Sequence, residues 1–153
     1  MADIPHIMVV EARFYEDIAD ELVRGALSEL EKAGVTYERF SVPGAFEIPA
    51  AIQYAVRSMH FFAGRKRFDG YVALGCVIRG ETYHFEIVSN ESSRGLMDLG
   101  VQRGLCIGNG ILTVENERQA LERASPEDGD KGGDAARACL ALINTRTRFG
   151  VHR

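Results

Sequence analysis

The sequence predicts an α/β fold, a three-layer α/β/α sandwich built on a four-stranded parallel sheet. Two observations predict it. Short apolar runs rich in β-branched residues alternate along the chain with longer segments of helical periodicity. The apolar runs are hydrophobic at consecutive positions rather than at every second one, which is typical of strands covered on both faces. Because 153 residues is the length of one domain, we expect residues 1–153 to form a single domain.

Four segments are predicted as strands, because each is short, mostly apolar and bounded by turn or helix signals. They are residues 6–10, 35–42, 70–78 and 105–114. Crossovers between parallel strands are almost always right-handed, which leaves few topologies for four strands. The doubly wound arrangement then predicts the flavodoxin-like strand order 2-1-3-4.

Five segments are predicted as helices: residues 15–33, 48–59, 82–102, 117–124 and 135–149. In the first of them, Ile18, Leu22 and Leu30 recur at helical spacing, and Gly34 supplies the stop signal. Residues 61–69 are predicted to form a polar loop. Residues 125–134, rich in Gly and Asp, are predicted to form a mobile surface loop.

The composition argues against several classes of protein. The net charge of −4 is unlike that of a nucleic-acid-binding domain, which is normally basic. No apolar run approaches the roughly 18–20 residues of a membrane span, and the amino terminus lacks the features of a signal peptide. Three widely spaced cysteines suit reduced thiols in a cytoplasmic protein. The four histidines do not have the spacing of metal ligands, so we expect no metal. From the net charge and the lack of a long apolar run, we expect no nucleic-acid or membrane partner.

Four segments that follow the predicted strands are candidates for a ligand site. In doubly wound sheets, ligands bind outside the carboxyl ends of the strands. The segments are residues 12–15, 42–47, 77–84 and 112–116. The chain contains no P-loop, no complete dinucleotide-binding glycine pattern and no nucleophile elbow, so none of these signatures identifies the ligand.

The third of these segments contains most of the recognisable chemistry. Gly80 precedes a predicted helix whose first N–H groups have no partner within the helix, and such an end binds phosphate readily. The N–H groups of Glu81 and Thr82 are the candidate donors. His84 lies in the first turn, where an imidazole could exchange protons near neutral pH. The alternative interpretation is that Thr82 is an ordinary N-cap and His84 a surface residue.

Four further candidates have two interpretations each. Phe14 is either a stacking platform for a planar ring or part of the core. Glu47 begins a helix, where the helix dipole favours a carboxylate without any binding role. Arg123 and Lys131 could attract an anion or could be solvated surface residues.

Six short motifs extend over nearly the whole chain and carry a family resemblance. They are A-R-F at 12–14, V-P-G-A-F-E-I-P at 42–49, L-G-C-V-I-R-G-E-T-Y-H-F at 74–85, G-I-L-T-V-E-N at 110–116, E-R-A at 122–124 and D-K-G-G-D at 130–134. Together they resemble the lumazine synthase family, the enzymes of the penultimate step of riboflavin biosynthesis.

The resemblance implies a cofactor-free condensation. In it, 5-amino-6-ribitylamino-2,4-pyrimidinedione and 3,4-dihydroxy-2-butanone 4-phosphate give 6,7-dimethyl-8-ribityllumazine, phosphate and water. The resemblance further implies that Phe14 stacks on the pyrimidine ring and that His84 transfers protons. The remaining residues it assigns to this substrate are those that contact the ring edge through their backbone, Cys76, Val77 and Ile78, and those that hold the ribityl chain, Ala45, Phe46 and Glu47.

The resemblance also implies a homopentamer with each site between neighbouring subunits. Asn109, Arg123 and Lys131 would then come from the partner chain, and Arg123 would join the N–H groups of Glu81 and Thr82 in binding phosphate. The glycines of the fourth strand fit this arrangement, because small residues let another backbone approach closely. Family members often carry an aromatic residue where Asn109 stands, so we expect weaker pyrimidine binding here.

Two other functions are compatible with the same motifs. One is a flavin- or pterin-binding module that keeps the pocket without turnover. The other is a structural role, since some family members build capsids of twelve pentamers. The sequence does not decide between a pentamer, a decamer and a capsid.

Overall fold

A computed structural model of the chain describes residues 4–59 and 67–151. Its strands are β1 (His6–Ala12), β2 (Thr36–Val42), β3 (Gly70–Ile78) and β4 (Ile107–Val114). Its helices are α1 (Glu16–Lys32), α2 (Ile48–Ser58), α3 (His84–Arg103), α4 (Glu117–Ala124) and α5 (Lys131–Arg148), with a short 3₁₀ turn at Ala45–Glu47. All strand pairs are parallel and the order is β2-β1-β3-β4, which confirms the predicted sheet.

Helices cover both faces of the sheet, because successive side chains of a strand point to opposite sides. Ile7 and Val9 of β1 are buried in one apolar cluster with α1 and α5. Met8 and Val10 are buried in a second cluster with α2 and α3. This arrangement confirms the three-layer α/β/α sandwich. The expectation of strands that are apolar throughout holds for β3 but not for β2, which is half-buried or exposed at the sheet edge.

The carboxy-terminal helix begins earlier than predicted. α5 starts at Lys131 rather than at residue 135, so the predicted loop at 125–134 is wrong for its last four residues. Asp130 is the N-cap, and its carboxylate accepts the N–H of Gly133 at 3.3 Å. Gly132 packs directly on α1, where an added Cβ would lie 2.0 Å from the carbonyl oxygen of Leu22. The glycines that suggested a loop therefore permit close contact between two helices.

The glycines of β4 also serve packing within the chain. A Cβ at Gly108 would lie 1.8 Å from the carbonyl oxygen of Ala135 in α5, and one at Gly110 would lie 3.0 Å from the Ala135 Cβ. Close backbone approach was thus the right expectation for these glycines. Attributing it to a neighbouring subunit was wrong, because α5 of the same chain occupies that space.

Two further boundaries differ from the prediction. α3 begins at His84 with Tyr83 as its N-cap, two residues later than expected. Of the predicted polar loop at 61–69, residues 61–66 lie outside the described residues, and Phe68 is buried in the core. In the described part of the chain, no helix combines the length and the hydropathy that crossing a membrane requires.

Candidate active site

A groove of about 420 Å³ opens at the carboxyl ends of β1, β2 and β3. It lies where the doubly wound sheet is expected to bind a ligand. We call this cavity the groove, and it is lined by Phe14, Tyr15, Pro43, Gly44, Ala45, Phe46, Glu47, Cys76, Val77, Ile78, Gly80, Thr82, His84, Phe85 and Val88. Nearly all predicted pyrimidine and ribityl residues are therefore brought together, along with Thr82 and His84.

Phe14 stands at the mouth of the groove and is not part of the core. Its side chain is 73% exposed, and its ring meets the ring of Tyr15 edge-on at 4.9 Å. The neighbouring Arg13 fixes this loop: its side chain bonds to the buried carboxylate of Glu11 at 2.8 Å, and its N–H donates to the carbonyl of Val42 at 3.1 Å. An exposed ring on an anchored loop is suited to stacking on a planar ligand.

The second wall of the groove is the turn after β2. The carboxylate of Glu47 accepts the N–H of Gly44 at 3.0 Å, which closes the turn. Ala45 is buried against the sheet, whereas Phe46 is about half exposed. Glu47 therefore has a structural role in addition to any contact with a ligand, as its position at a helix start allowed.

Residues 80–83 form a loop with unused hydrogen-bond donors. Within the described structure, the N–H groups of Glu81, Thr82 and His84 donate to no protein acceptor. Tyr83, not Thr82, is the N-cap of α3, and no side chain caps this helix. The interpretation of Thr82 as an ordinary N-cap is therefore wrong. The partial positive charge of the α3 amino terminus adds to these donors, so the loop is suited to an anion.

His84 is the first residue of α3, and it is exposed at the groove. Glu81 is exposed too, but it is absent from the groove lining, so only its backbone adjoins the anion-binding loop. The loop therefore presents N–H donors and an imidazole to the groove without a carboxylate among them.

Cys76 contributes an unreactive thiol to the groove. Burial raises the pKa of this thiol to about 12, so it is protonated at neutral pH and is a poor nucleophile. The described residues also contain no group of three or more His, Cys, Asp or Glu side chains placed to hold a metal ion. The groove offers hydrogen-bonding groups and the imidazole of His84.

The three residues assigned to a partner chain lie apart from the groove. Asn109, Arg123 and Lys131 line a second cleft of about 410 Å³ between β4, α4 and α5, which we call the edge cleft. The Asn109 side chain accepts the N–H of Ile111 at 2.9 Å, and Arg123 donates to a carbonyl of its own helix at 3.2 Å. Lys131 lies 3.5 Å from Asp134. One chain therefore holds the predicted site residues in two separate places.

Sequence reasoning missed two residues of the groove. Phe85 and Val88 both line it, next to His84 and one helical turn beyond it. Val88 follows Phe85 by three residues and His84 by four, so the three side chains share one side of the helix, and this spacing was the available signal. Both residues also pack into the core beneath α3, so they join the groove floor to the protein interior.

Comparison with known proteins gives one consistent result. The family described as 6,7-dimethyl-8-ribityllumazine synthase matches residues 5–147. A relative of that name from Bartonella tribocorum is 59% identical over 97% of this chain and 95% of its own length. The Agrobacterium fabrum relative is 58% identical over 95% of this chain and 97% of its own. A Rhizobium meliloti relative, named 6,7-dimethyl-8-ribityllumazine synthase 1, is 56% identical over 97% and 95%.

Proposed function

Because this chain belongs to the 6,7-dimethyl-8-ribityllumazine synthase family, we propose that it performs the family's condensation in the groove, completed by the edge cleft of a neighbouring copy. It is an enzyme of riboflavin biosynthesis, a transferase, and its substrates are small molecules. One observation carries the placement of the reaction. The groove combines an exposed aromatic ring, unused N–H donors and an imidazole, but the described residues that line it include no Arg or Lys.

The pyrimidinedione occupies the part of the groove nearest β1 and β2. Phe14 stacks on its ring, and the backbone of residues 76–78 at the end of β3 hydrogen-bonds to the ring edge. The ribityl chain extends along Ala45, Phe46 and Glu47. The Glu47 carboxylate has a second oxygen besides the one that accepts the Gly44 N–H, and this oxygen is available to a ribityl hydroxyl.

The ketose phosphate binds with its phosphate at residues 80–82. The N–H groups of Glu81 and Thr82 have no acceptor in the described structure, and they lie just before α3, whose dipole favours an anion. A phosphate dianion also needs formal positive charge, and no Arg or Lys supplies it among the residues of the groove that the structure describes. Arg123 of a neighbouring copy supplies it. This division of charge supports a site built from two chains.

His84 moves protons during the reaction. The substrate amine attacks the ketone of the second substrate, and imine formation, phosphate loss and ring closure each require proton transfer. Because the nucleophile belongs to the substrate, the protonated thiol of Cys76 is compatible with catalysis. Holding two molecules in reactive geometry supplies about 7–11 kcal/mol, and one general acid–base adds roughly a hundred- to ten-thousandfold.

The active form is a homo-oligomer, a pentamer or a multiple of it, with a single domain in each subunit. The edge cleft supports this, since Arg123 and Lys131 lie together at the open side of β4 and away from their own groove. Exposed apolar side chains on α3, Met97 at 65% and Val101 at 74%, provide further contact surface. The buried free thiols of Cys76 and Cys139 support activity in the reducing cytoplasm.

The test is to mix the purified chain with both substrates and follow the absorbance and fluorescence of the lumazine product, together with phosphate release. We expect both signals in equal amounts. A flavin- or pterin-binding module without turnover would bind the product yet release no phosphate, and that outcome would contradict the proposed reaction. Light scattering on the same sample gives the size of the assembly.

A further inference from the structure

The Arg79 side chain makes a set of contacts around the loop at 80–83, although it does not line the groove. Its Nε donates to the carboxylate of Glu115 at 2.6 Å, and its Nη1 donates to that of Glu86 at 2.7 Å. Its guanidinium carbon lies 4.5 Å from the centre of the Phe85 ring. Its backbone N–H donates to Val114 at 2.9 Å. Arg79 thus joins the end of β3 to the first turn of α3 and to the β4–α4 junction.

The loop itself has few contacts that would fix its position. Apart from Gly80 and its two chain neighbours, no heavy atom of the described residues lies within 4 Å of where a Cβ on Gly80 would be. Glu81 and Thr82 are exposed, and their side chains make no hydrogen bond in the described structure. The position of their N–H groups therefore depends on how the two ends of the loop are held. The contact between Arg79 and Glu86 spans the loop and links those ends.

We propose that Arg79 is a positioning residue that holds the N–H groups of Glu81 and Thr82 in place for phosphate. The inference rests on the proposed function, because it concerns the phosphate end of that site. Arginine fits this role, since its planar fork can bond to two carboxylates while its face packs on an aromatic ring. Exposed ion pairs contribute little to stability by themselves, so we expect the ion pairs of Arg79 to fix the position of the loop rather than to stabilise the fold.

The contact persists at neutral pH. The hydrogen bond from Arg79 lowers the pKa of Glu86, so this carboxylate stays ionised. Glu115 is itself held in place, because its N–H donates to the side chain of Gln119 at 2.8 Å at the start of α4. Through Arg79, the loop is therefore anchored to the first turn of α3 and to the start of α4, both of which pack on the sheet.

The first experiment compares Arg79→Ala and Arg79→Lys with the wild type. It measures kcat, the KM of each substrate, and the inhibition constant of inorganic phosphate against the ketose phosphate. We expect Arg79→Ala to raise the ketose phosphate KM and the phosphate inhibition constant about ten- to a hundredfold, because small displacements of binding groups are costly. The pyrimidinedione KM should change less than about twofold. Arg79→Lys should restore little of the phosphate binding, because lysine lacks the planar guanidinium that bonds to two carboxylates at once.

The matched control is Arg94→Ala. Arg94 also bonds to two carboxylates, but both, Glu91 and Asp98, belong to its own helix α3. We expect wild-type kinetics from this variant. If Arg79→Ala fails to fold, Glu115→Gln weakens the same contact more gently and should shift the phosphate constants in the same direction. Assembly size and melting temperature are measured for every variant.

Three outcomes overturn the inference while leaving the proposed reaction intact. They are unchanged phosphate constants in Arg79→Ala, equal increases in both KM values, and a loss of assembly that accounts for the kinetics. A triple variant separates a geometric role from a role of charge: Glu86→Gln and Glu115→Gln are added to Arg79→Ala. We expect that phosphate binding is not restored in this variant. Restored binding would show that Arg79 only neutralises the two carboxylates, and it would also overturn the inference. Absence of lumazine formation by the wild type would instead contradict the proposed function.

Discussion

The groove and the edge cleft are built in different ways from the same sheet. The groove consists of loops that follow strands, with an exposed ring at Phe14 and unused N–H donors at residues 80–84. The elements around the edge cleft pack closely through their backbones, with Gly108 against α5 and Gly132 against α1. No Arg or Lys is found among the described residues that line the groove, whereas the edge cleft has Arg123 and Lys131.

This difference indicates how two incomplete regions can form one site. The groove has the N–H donors and the imidazole, and the edge cleft has the positive charges. Within one chain, the two regions are separate clefts. In a closed ring of identical subunits, a heterologous interface places one surface of each copy against a different surface of the next. A groove that meets a neighbour's edge cleft at such an interface would gain the positive charge that phosphate requires.

The largest expected effect belongs to the groove. His84→Ala should lower kcat about a hundred- to ten-thousandfold, because general acid–base catalysis is lost. Inhibition by inorganic phosphate should stay close to the wild-type value, because the N–H donors remain. Arg123→Ala should show the opposite pattern, a raised ketose phosphate KM with a smaller change in kcat. Wild-type turnover in His84→Ala would contradict the role assigned to the imidazole.

A mixing experiment tests directly whether the two regions act across an interface. Subunits carrying His84→Ala and subunits carrying Arg123→Ala are co-expressed or refolded together. Some interfaces then pair an intact groove with an intact edge cleft, and random mixing should restore about a quarter of the wild-type sites. The control replaces the second partner with the double variant, which can form no intact site. Activity is measured at a ketose phosphate concentration well below the raised KM of Arg123→Ala, so that both parents turn over slowly. Mixed oligomers no more active than their parents under this condition would show that both regions must belong to one chain.

The sheet could be predicted from sequence, whereas the exact form of the two clefts could not. The strand order follows from apolar runs such as 70–78 together with the handedness of crossovers, and neither depends on side-chain detail. The exposure of Phe14 and the free N–H of Thr82 depend on where a loop ends and a helix begins. The start of α3 lies two residues later than predicted, and its N-cap is Tyr83 rather than the Thr82 of the alternative interpretation.

Glycines were the main source of error. Gly132 and Gly133 lie in a polar segment whose composition is typical of loops. Close contact with the N-cap carboxylate of Asp130 explains Gly133, and the packing of α5 on α1 explains Gly132. The contact between Gly108 and α5 has the same character, because it joins elements distant in sequence. The motifs nonetheless identified Arg123 and Lys131, which the structure brings into one cleft.

A smaller effect tests the packing that forms the edge cleft. Gly132→Ala places a methyl group against the backbone of Leu22, which cannot move without displacing α1. We expect a loss of about 1–3 kcal/mol in the free energy of unfolding, measured by urea denaturation. Gly100→Ala, within α3, is the matched control, because its Cβ would meet only the carbonyl oxygen of Leu105 at an ordinary contact distance of 3.6 Å, and it should be neutral or slightly stabilising. Equal stability of the two variants would contradict the close-packing account.

The smallest expected effect concerns Asn109, which is exposed at the edge cleft and offers no ring for stacking. In Asn109→Phe, a ring can pack on the pyrimidine bound in the neighbour's groove, opposite Phe14. A stacked pair contributes about 0.5–1.5 kcal/mol, so the pyrimidinedione KM should fall roughly two- to tenfold while the ketose phosphate KM stays constant. Asn109→Leu supplies apolar bulk without a ring and should produce less of this gain. An unchanged KM in the Phe variant would mean that Asn109 does not face the pyrimidine, and the pairing of the two clefts would then need a different register.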